Sequence, residues 1–378
     1  MVTLWANDGQ RIGLLDRIDA KYRPVWDRYS AKDQVALSRY FLPHRSSKAV
    51  IGPTRPRMIK WYCPFACQRS FPSGHRYCIN VYTGCSHRCV YCYATGYQPQ
   101  HCAAKRDFRK LLNKDLADLE TFEVPPAPLH LSNSTDAFQL LERTQQDAKY
   151  ALERILAHRQ RFTTITILTK NPIQLTEPGY LKILKAICVA STHHSQQNQF
   201  ATPDHHGLVV EVSLAFWREE AARFYDPGAP SIQQRIDGLR VLSEAGIPLV
   251  FRIDPLFPRS PLPDRSGSLL ADYGLIEVQT LEDLTQLAKL GKQLCVQHIV
   301  FSVGKIVRPR YGDLPAPMKS MLGVYRACSA PSQLAFKSGS YRFPDQLASE
   351  HIVRPFLRIC EEMQVAAKYC KQNLVETL

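Results

Sequence analysis

The chain has 378 residues, of which 45% are hydrophobic, and a formal net charge of +14. That much apolar material supports a large core and excludes a disordered or fibrous chain. No apolar run approaches the roughly 18–20 residues that span a bilayer, and the first residues lack a basic segment followed by an apolar one, so a cytoplasmic protein without membrane contact is expected.

Twelve cysteines in such a chain argue against a disulfide framework and for metal or redox chemistry. Charge is distributed unevenly. Residues 1–76 hold 14 Lys and Arg against 5 Asp and Glu, residues 77–307 hold 24 against 23, and residues 308–378 hold 10 against 6. Basic flanks on a neutral body suggest recognition of a polyanion such as nucleic acid through its phosphates. A merely basic surface, or one that pairs with another protein, is the alternative.

Residues 1–62 read as an extension that carries aromatic anchors, Trp5, Tyr22, Trp26, Tyr29, Tyr40 and Phe41, among Arg and Lys. Aromatics interleaved with cations can stack bases; docking of an arm on the core is the commoner reason for them and the preferred reading. Residues 30–41 suit a short helix capped by Ser30, with Val35, Leu37 and Tyr40 near one face. Cys63, Cys67 and Cys78 come next, and with Cys102 or His75 as a fourth ligand they are candidates for a second metal site, an auxiliary cluster or a zinc.

Cys85, Cys89 and Cys92 follow with C-x3-C-x2-C spacing, directly after a strand-like run. Three thiolates on one loop leave a cubane iron-sulfur cluster one protein ligand short, and a site that does chemistry keeps such a position open. A zinc knuckle needs a fourth ligand at short range, for which His87 is available.

Beyond the loop, short apolar runs alternate with amphipathic stretches, the pattern of parallel strands joined by crossover helices. The strands are expected at residues 77–82, 129–131, 164–169, 208–214, 248–253 and 298–303. The helices are expected at 136–158, 178–190, 231–245 and 280–294. Ser231 with Gln234, and Thr280 with Asp283, form capping boxes at two helix starts. Six such units predict an α/β fold, a partial (β/α)6 TIM-type barrel with N- and C-terminal extensions. Its functional groups should sit on loops at the carboxyl ends of the strands.

Two inserts interrupt the pattern. Residues 191–207 contain His193, His194, His205 and His206, read as a surface loop in preference to a metal site. Residues 255–274 are rich in Pro, Ser and Gly and are placed to cover the barrel mouth as a lid. After residue 307 the chain is mixed and then largely helical over 345–372, with Cys328, Cys360 and Cys370 as core cysteines. Three regions result: a basic extension at 1–76, a core at 77–307 and a mostly helical extension at 308–378.

The cysteine loop, with Tyr91 before its last cysteine, resembles the hallmark of the radical S-adenosylmethionine (SAM) superfamily. Asn80-Val81-Tyr82-Thr83-Gly84-Cys85-Ser86-His87 and Cys92-Tyr93-Ala94 resemble its spore photoproduct lyase-like branch more narrowly. The likeness continues through Thr135-Asp136-Ala137-Phe138-Gln139 to Glu142, Thr169-Lys170, Glu211-Val212-Ser213 and Tyr225-Asp226-Pro227-Gly228-Ala229-Pro230-Ser231, covering about residues 77–307. It implies a 4Fe-4S cluster on Cys85, Cys89 and Cys92, and SAM chelated at the fourth iron. Reductive cleavage of SAM would then yield a 5'-deoxyadenosyl radical, with an electron from a partner such as flavodoxin or ferredoxin.

By the same resemblance, Lys170 meets the SAM carboxylate, with Arg252 as another candidate. Ser134, Thr135 and Asp136 hold the amino group, and Glu211 or Ser213 reaches the ribose. Tyr91 and Tyr93 match tyrosines flanking the lyase's last cluster cysteine. The lyase's hydrogen-donor cysteine is replaced by Asn133, which cannot donate a hydrogen atom; Cys102 or Cys78 are the substitutes at hand. Three functions remain open: a radical SAM enzyme acting on nucleic acid or a nucleotide, one modifying a peptide or small metabolite, and a metal-stabilised nucleic-acid-binding protein without catalysis.

Overall fold

A computed structural model of the chain describes residues 18–20, 22–41, 57–60, 76–98, 101–122, 126–192, 207–258, 269–328, 335–337 and 339–370. Its centre is an eight-stranded sheet in sequential order. The strands are β1 (Ile59–Lys60), β2 (Tyr77–Ile79), β3 (Ala127–Leu131), β4 (Phe162–Thr169), β5 (Gly207–Ser213), β6 (Leu249–Leu256), β7 (Ile299–Val303) and β8 (Ala367–Tyr369). Every pair from β2 to β8 is parallel, and β1 runs antiparallel along β2. The outer strands do not pair with each other, so the barrel is open, as a partial barrel should be.

Each parallel connection carries a helix: α1 (Phe108–Thr121), α2 (Asp147–Ala157), α3 (Pro178–Thr192), α4 (Ile232–Glu244), α5 (Leu281–Gln293) and α6 (Arg354–Glu362). Strand alternation explains the layering. Tyr77, Ile79, Leu129, Leu131, Ile165 and Ile167 are buried in the main hydrophobic core, whereas Cys78, His130 and Thr166 share a register row one residue out of phase with them. Both capping boxes are formed, Ser231 with Gln234 at α4 and Thr280 with Asp283 at α5. Among the described residues no helix is long and apolar enough to cross a membrane.

Several expected boundaries need correction. The first strand ends at Ile79, and Tyr82–Thr83 pairs instead with Ala103–Ala104. The helix expected over 136–158 is broken, with helices only at Glu142–Gln145 and α2. Its first residues form a turn because the Asp136 carboxylate accepts the Phe138 amide at 2.9 Å, and Ser132 Oγ accepts the Ala137 amide at 2.8 Å. The C-terminal segment expected to be helical over 345–372 stops at Glu362, and β8 then adds a parallel strand. A three-stranded antiparallel sheet, in the order Lys305–Val307, Ser340–Arg342, Ala335–Lys337, occupies part of the region after β7.

Of the amino-terminal aromatics, Tyr22 and Trp26 belong to the core and Tyr29 packs against it. The helix Ala31–Phe41 forms as expected, with Ser30 Oγ accepting the Asp33 amide at 3.2 Å, and Tyr22, Trp26, Val35 and Leu37 are buried in the main cluster. Arg57 is spent on Asp118 at 2.9 Å and Asp115 at 3.5 Å. Asp115 also accepts the amides of Met58 and Ile59 and fixes the approach to β1. Trp5, residues 42–56 with Arg45, Lys48 and Arg55, Cys63, Cys67 and His75, residues 193–206 and the centre of the expected lid, 259–268, lie outside the described residues.

Gly238 on α4 faces the short helix Pro172–Leu175, where an added Cβ would lie 2.5 Å from Ile173 N and 2.8 Å from Pro172 C. Backbone cannot yield as a side chain can. Gly238→Ala is therefore expected to cost about 1–3 kcal/mol by overpacking, although Ala is the better helix former. Chemical denaturation of the two proteins measures it.

Candidate functional site

The cysteine loop leaves the carboxyl end of β2 and is too short to bury itself, so its shape is imposed by side chains from neighbouring strand ends. Asn80 starts the arrangement: its Oδ1 accepts the amides of Asn133 and Ser134 at 3.1 and 3.0 Å and thereby joins the ends of β2 and β3. The Gln139 amide grips the loop from both sides, donating to Gly84 O at 3.1 Å and accepting the Ser86 amide at 2.7 Å. Glu142, fully buried, accepts the Tyr82 and Tyr180 hydroxyls and the amides of Ala148 and Lys149. The Thr-Asp-x-x-Gln-x-x-Glu run is thus a brace under the cysteines, not a helix.

His87 is buried inside the loop. Its Nε2 lies 2.9 Å from Asp136 Oδ2 and its Nδ1 3.2 Å from Gly228 O. Both nitrogens are engaged, so His87 would have to release a partner to serve as a fourth metal ligand. Asp136 also accepts the Thr169 hydroxyl at 2.9 Å and the Lys170 amide at 2.7 Å. Coulombic attraction and hydrogen bonds from His87 overcome the cost of burial and keep this carboxyl below its ordinary range. The 226–229 turn closes on the loop: Gly228 N donates to His87 O at 2.9 Å and Val90 N to Tyr225 O at 2.9 Å. A Cβ at Gly228 would fall 2.1 Å from Ser86 O.

Cys85, Cys89 and Cys92 are half-buried free thiols. Burial raises all three, Cys85 to about 12; the charge of Asp136 adds to this at Cys85, that of Asp226 at Cys89 and Cys92, and an ionised Cys92 disfavours ionisation of Cys85 and Cys89. Opposing this, the amides of His87 and Asp136 stabilise the Cys85 thiolate, and those of Ala94 and Thr95 the Cys92 thiolate. Soft thiol donors served by backbone N–H groups suit an iron-sulfur cluster. Among the described residues no three His, Cys, Asp or Glu converge as they would on a single metal ion; a cubane instead spreads its ligands over separate corners.

The other expected site residues arrive at the same end of the sheet. Lys170, following β4, donates to Tyr91 OH and Ser213 Oγ at 2.8 Å each and to Asp226 Oδ2 at 3.1 Å. Tyr91 OH donates to Asp226 Oδ1 at 2.5 Å. The Tyr93 hydroxyl donates to Asn133 O, and Tyr97 OH lies 2.9 Å from Ser134 Oγ. Thr135 Oγ1 is buried with no hydrogen-bond partner among the described residues. Glu211 and Arg252 pair with each other at 2.9 Å, and Arg252 also reaches Asp254 at 3.4 Å and Cys370 Sγ at 3.6 Å.

Sequence reasoning missed Asp226, Arg235 and Asn80 as members of the site, although Asn80 and Asp226 sit inside runs it singled out. Of the residues expected at a second metal site only Cys78 and Cys102 are described, and among the described residues no metal-binding group forms. Cys78 is buried on β2 beside His130, Cys102 is exposed, and burial followed by the charges of Arg76 and Arg252 holds His130 well below its usual range, hence neutral. Cys370, expected in the core, is exposed beside Arg252, while Cys360 is buried as expected.

No protein-family model matches the chain. An uncharacterised protein of Methanocaldococcus jannaschii is 25% identical over 185 residues, which is 49% of this chain and 62% of that protein, so the match spans less than two thirds of that relative. Among solved structures, a spore photoproduct lyase mutant superposes with a TM-score of 0.52 at 16% identity, covering 89% of this chain and 84% of the lyase. A lyase mutant with bound AdoMet and dinucleoside spore photoproduct gives a TM-score of 0.51 at 16% identity, covering 96% of this chain and 94% of the other. The fold is that of the spore photoproduct lyase-like proteins.

In metal-free protein at pH 8, Cys85 is expected to alkylate roughly tenfold or more slowly than the exposed Cys295, because the thiolate is the reactive form and its raised pKa keeps it scarce. Its rate should keep climbing with pH toward about 12. Gln139→Ala should speed alkylation of all three loop cysteines by freeing the loop, as peptide mass spectrometry of timed reactions would measure.

Proposed function

We propose that the chain is an iron-sulfur enzyme of the radical SAM type that acts on nucleic acid or a nucleotide. The observation that carries this reading is the placement of three thiols on one braced loop at the carboxyl end of β2, with Thr135 and Lys170 arriving from the next two strand ends. Cys85, Cys89 and Cys92 would hold three irons of a 4Fe-4S cluster. Bound there with SAM at its open corner, the cluster supplies the electron that breaks a sulfonium bond and so generates a hydrogen-abstracting radical.

The chain's own residues bind and orient. Lys170 offers its ammonium to the SAM carboxylate, with Arg252 further along the sheet. Thr135, with its buried unpartnered hydroxyl, Ser134 and Asp136 surround the place for the amino group; Ser213 and Glu211 stand on the ribose side. Tyr91 and Tyr93 flank Cys92 as catalytic candidates, Tyr91 half-buried in the ion cluster and Tyr93 exposed. A low-potential donor such as flavodoxin or ferredoxin provides the electron. Asn133 carries no thiol, so the reaction differs from the lyase's in its hydrogen donor.

The nucleic-acid part of the reading rests on the rim. Tyr93, Tyr97 and Tyr311 are 40%, 45% and 60% exposed, and the Arg310 amide donates to Thr95 O at 3.0 Å, which fixes Arg310 and Tyr311 beside the cysteine loop. Arg88, Arg308 and Arg310 are exposed around them. Aromatics and arginines at one mouth suit stacking and phosphate contact. A lyase of this fold has been solved complexed with dinucleoside spore photoproduct.

Anaerobic reconstitution with iron and sulfide, followed by dithionite and SAM, should yield 5'-deoxyadenosine. Cys85→Ala, Cys89→Ala and Cys92→Ala should each abolish both the visible absorption and the cleavage, and retention of cleavage in any one would refute the ligand assignment. Lys170→Ala should leave the absorption intact while weakening SAM binding by about 1.5–3 kcal/mol. Arg308→Ala with Arg310→Ala should flatten the salt dependence of polynucleotide binding by up to about two units in log–log slope. An unchanged slope would favour a peptide or metabolite substrate.

A further inference from the structure

Asp226 lies between the helix Glu219–Tyr225 and α4, and its side chain is 0% exposed. One anion there serves three partners: Oδ1 accepts the Tyr91 hydroxyl, and Oδ2 accepts both Lys170 Nζ at 3.1 Å and Arg235 Nη1 at 3.2 Å. Arg235 is also fully buried, fixed through Nε to Pro230 O at 2.9 Å. All three ammonium hydrogens of Lys170 are taken, by Tyr91, Ser213 and Asp226. Lys170 can reach a further carboxylate only by releasing one of them. A half-buried cation and a fully buried one thus share one buried anion beside the cysteine loop. Tyr91, whose hydroxyl Asp226 accepts, lies on that loop between Cys89 and Cys92.

We infer that Asp226 is the positioning residue of this site: it holds Lys170 and Tyr91 in place and offsets the positive charge that Lys170 and Arg235 bring to the cysteine loop. Its metal-linked half rests on the iron-sulfur reading above. The geometry makes the offset unavoidable. Removing the carboxylate charge leaves two cations facing each other in a site with little water, and removing one cation relieves that repulsion. A residue of purely steric importance has no such compensating partner.

Two measurements on the full chain test it. In metal-free protein, Asp226→Asn and Arg235→Met should each lower stability to denaturant, and the double variant should lose less than the sum of the two. Strict additivity overturns the inference. In reconstituted protein, redox titration should show a higher cluster potential for Asp226→Asn, a lower one for Arg235→Met, and a return toward the parent value in the double variant, since uncompensated positive charge favours the added electron. An unmoved or lowered potential in Asp226→Asn overturns it as well. Should Asp226→Asn not fold, Lys170→Met and Arg235→Met replace it: both must lower the potential, and a rise or no change in either refutes the inference. Failure of the parent chain to take up any cluster would instead refute the proposed function, and the stability cycle would still decide whether Asp226 organises the ion cluster.

Discussion

A loop that carries three thiols in eight residues cannot make a core of its own, so its conformation has to be dictated from outside. In this molecule that constraint is met by buried polar side chains, each reaching from a different strand end into the loop's backbone or its histidine. Asn80 joins two strand ends, Gln139 holds Gly84 and Ser86, and Asp136 holds His87, Thr169 and Lys170 at once. Each buried group is paid for by a defined partner, and losing one strands the others without water. The parallel sheet matters here chiefly because its register brings those side chains to one end.

The electrostatics follow from the same burial. Where carboxylates meet cations or amides in the interior, as at Asp136 and Asp226, they stay ionised well below the usual range. Burial pushes the thiols up in spite of a few backbone amides and, at Cys89 and Cys92, the charge of Lys170. The loop therefore favours neutral sulfur in the metal-free chain, and a cation bound there would reverse that preference. On the concave side of the sheet, the Glu211, Arg252 and Asp254 chain continues the polar lining away from the loop.

Much of this was visible without coordinates because it depends on local rules. Thiol spacing, the two capping boxes and the alternation of apolar runs with amphipathic stretches all report short-range geometry, and the strands and helices stand close to where those patterns put them. Errors arose where a local pattern competed with a tertiary contact. Residues 136–141 have helical composition, yet Asp136 and Gln139 are used as braces and hold the chain in a turn. Residues 367–369 continue a helical stretch on paper but complete the sheet along β7, because an open parallel edge rewards pairing more than another helical turn would. Trp26 and Tyr22 suited stacking on bases as well as the preferred docking on the core, and packing places them in the core.

The sequence by itself determined the chemistry at stake: three thiols in C-x3-C-x2-C order on a loop that follows a strand, set in an α/β chain long enough for a partial barrel. That information is local, since neighbouring residues cannot move far apart. Only the tertiary structure decided which distant groups serve those thiols. Asp226 and Arg235 are separated from Tyr91 by well over a hundred positions, and nothing in their spacing foretells contact. They meet because parallel crossovers return every strand end to the same side of the sheet, where a buried charge must find its partner or not be charged at all.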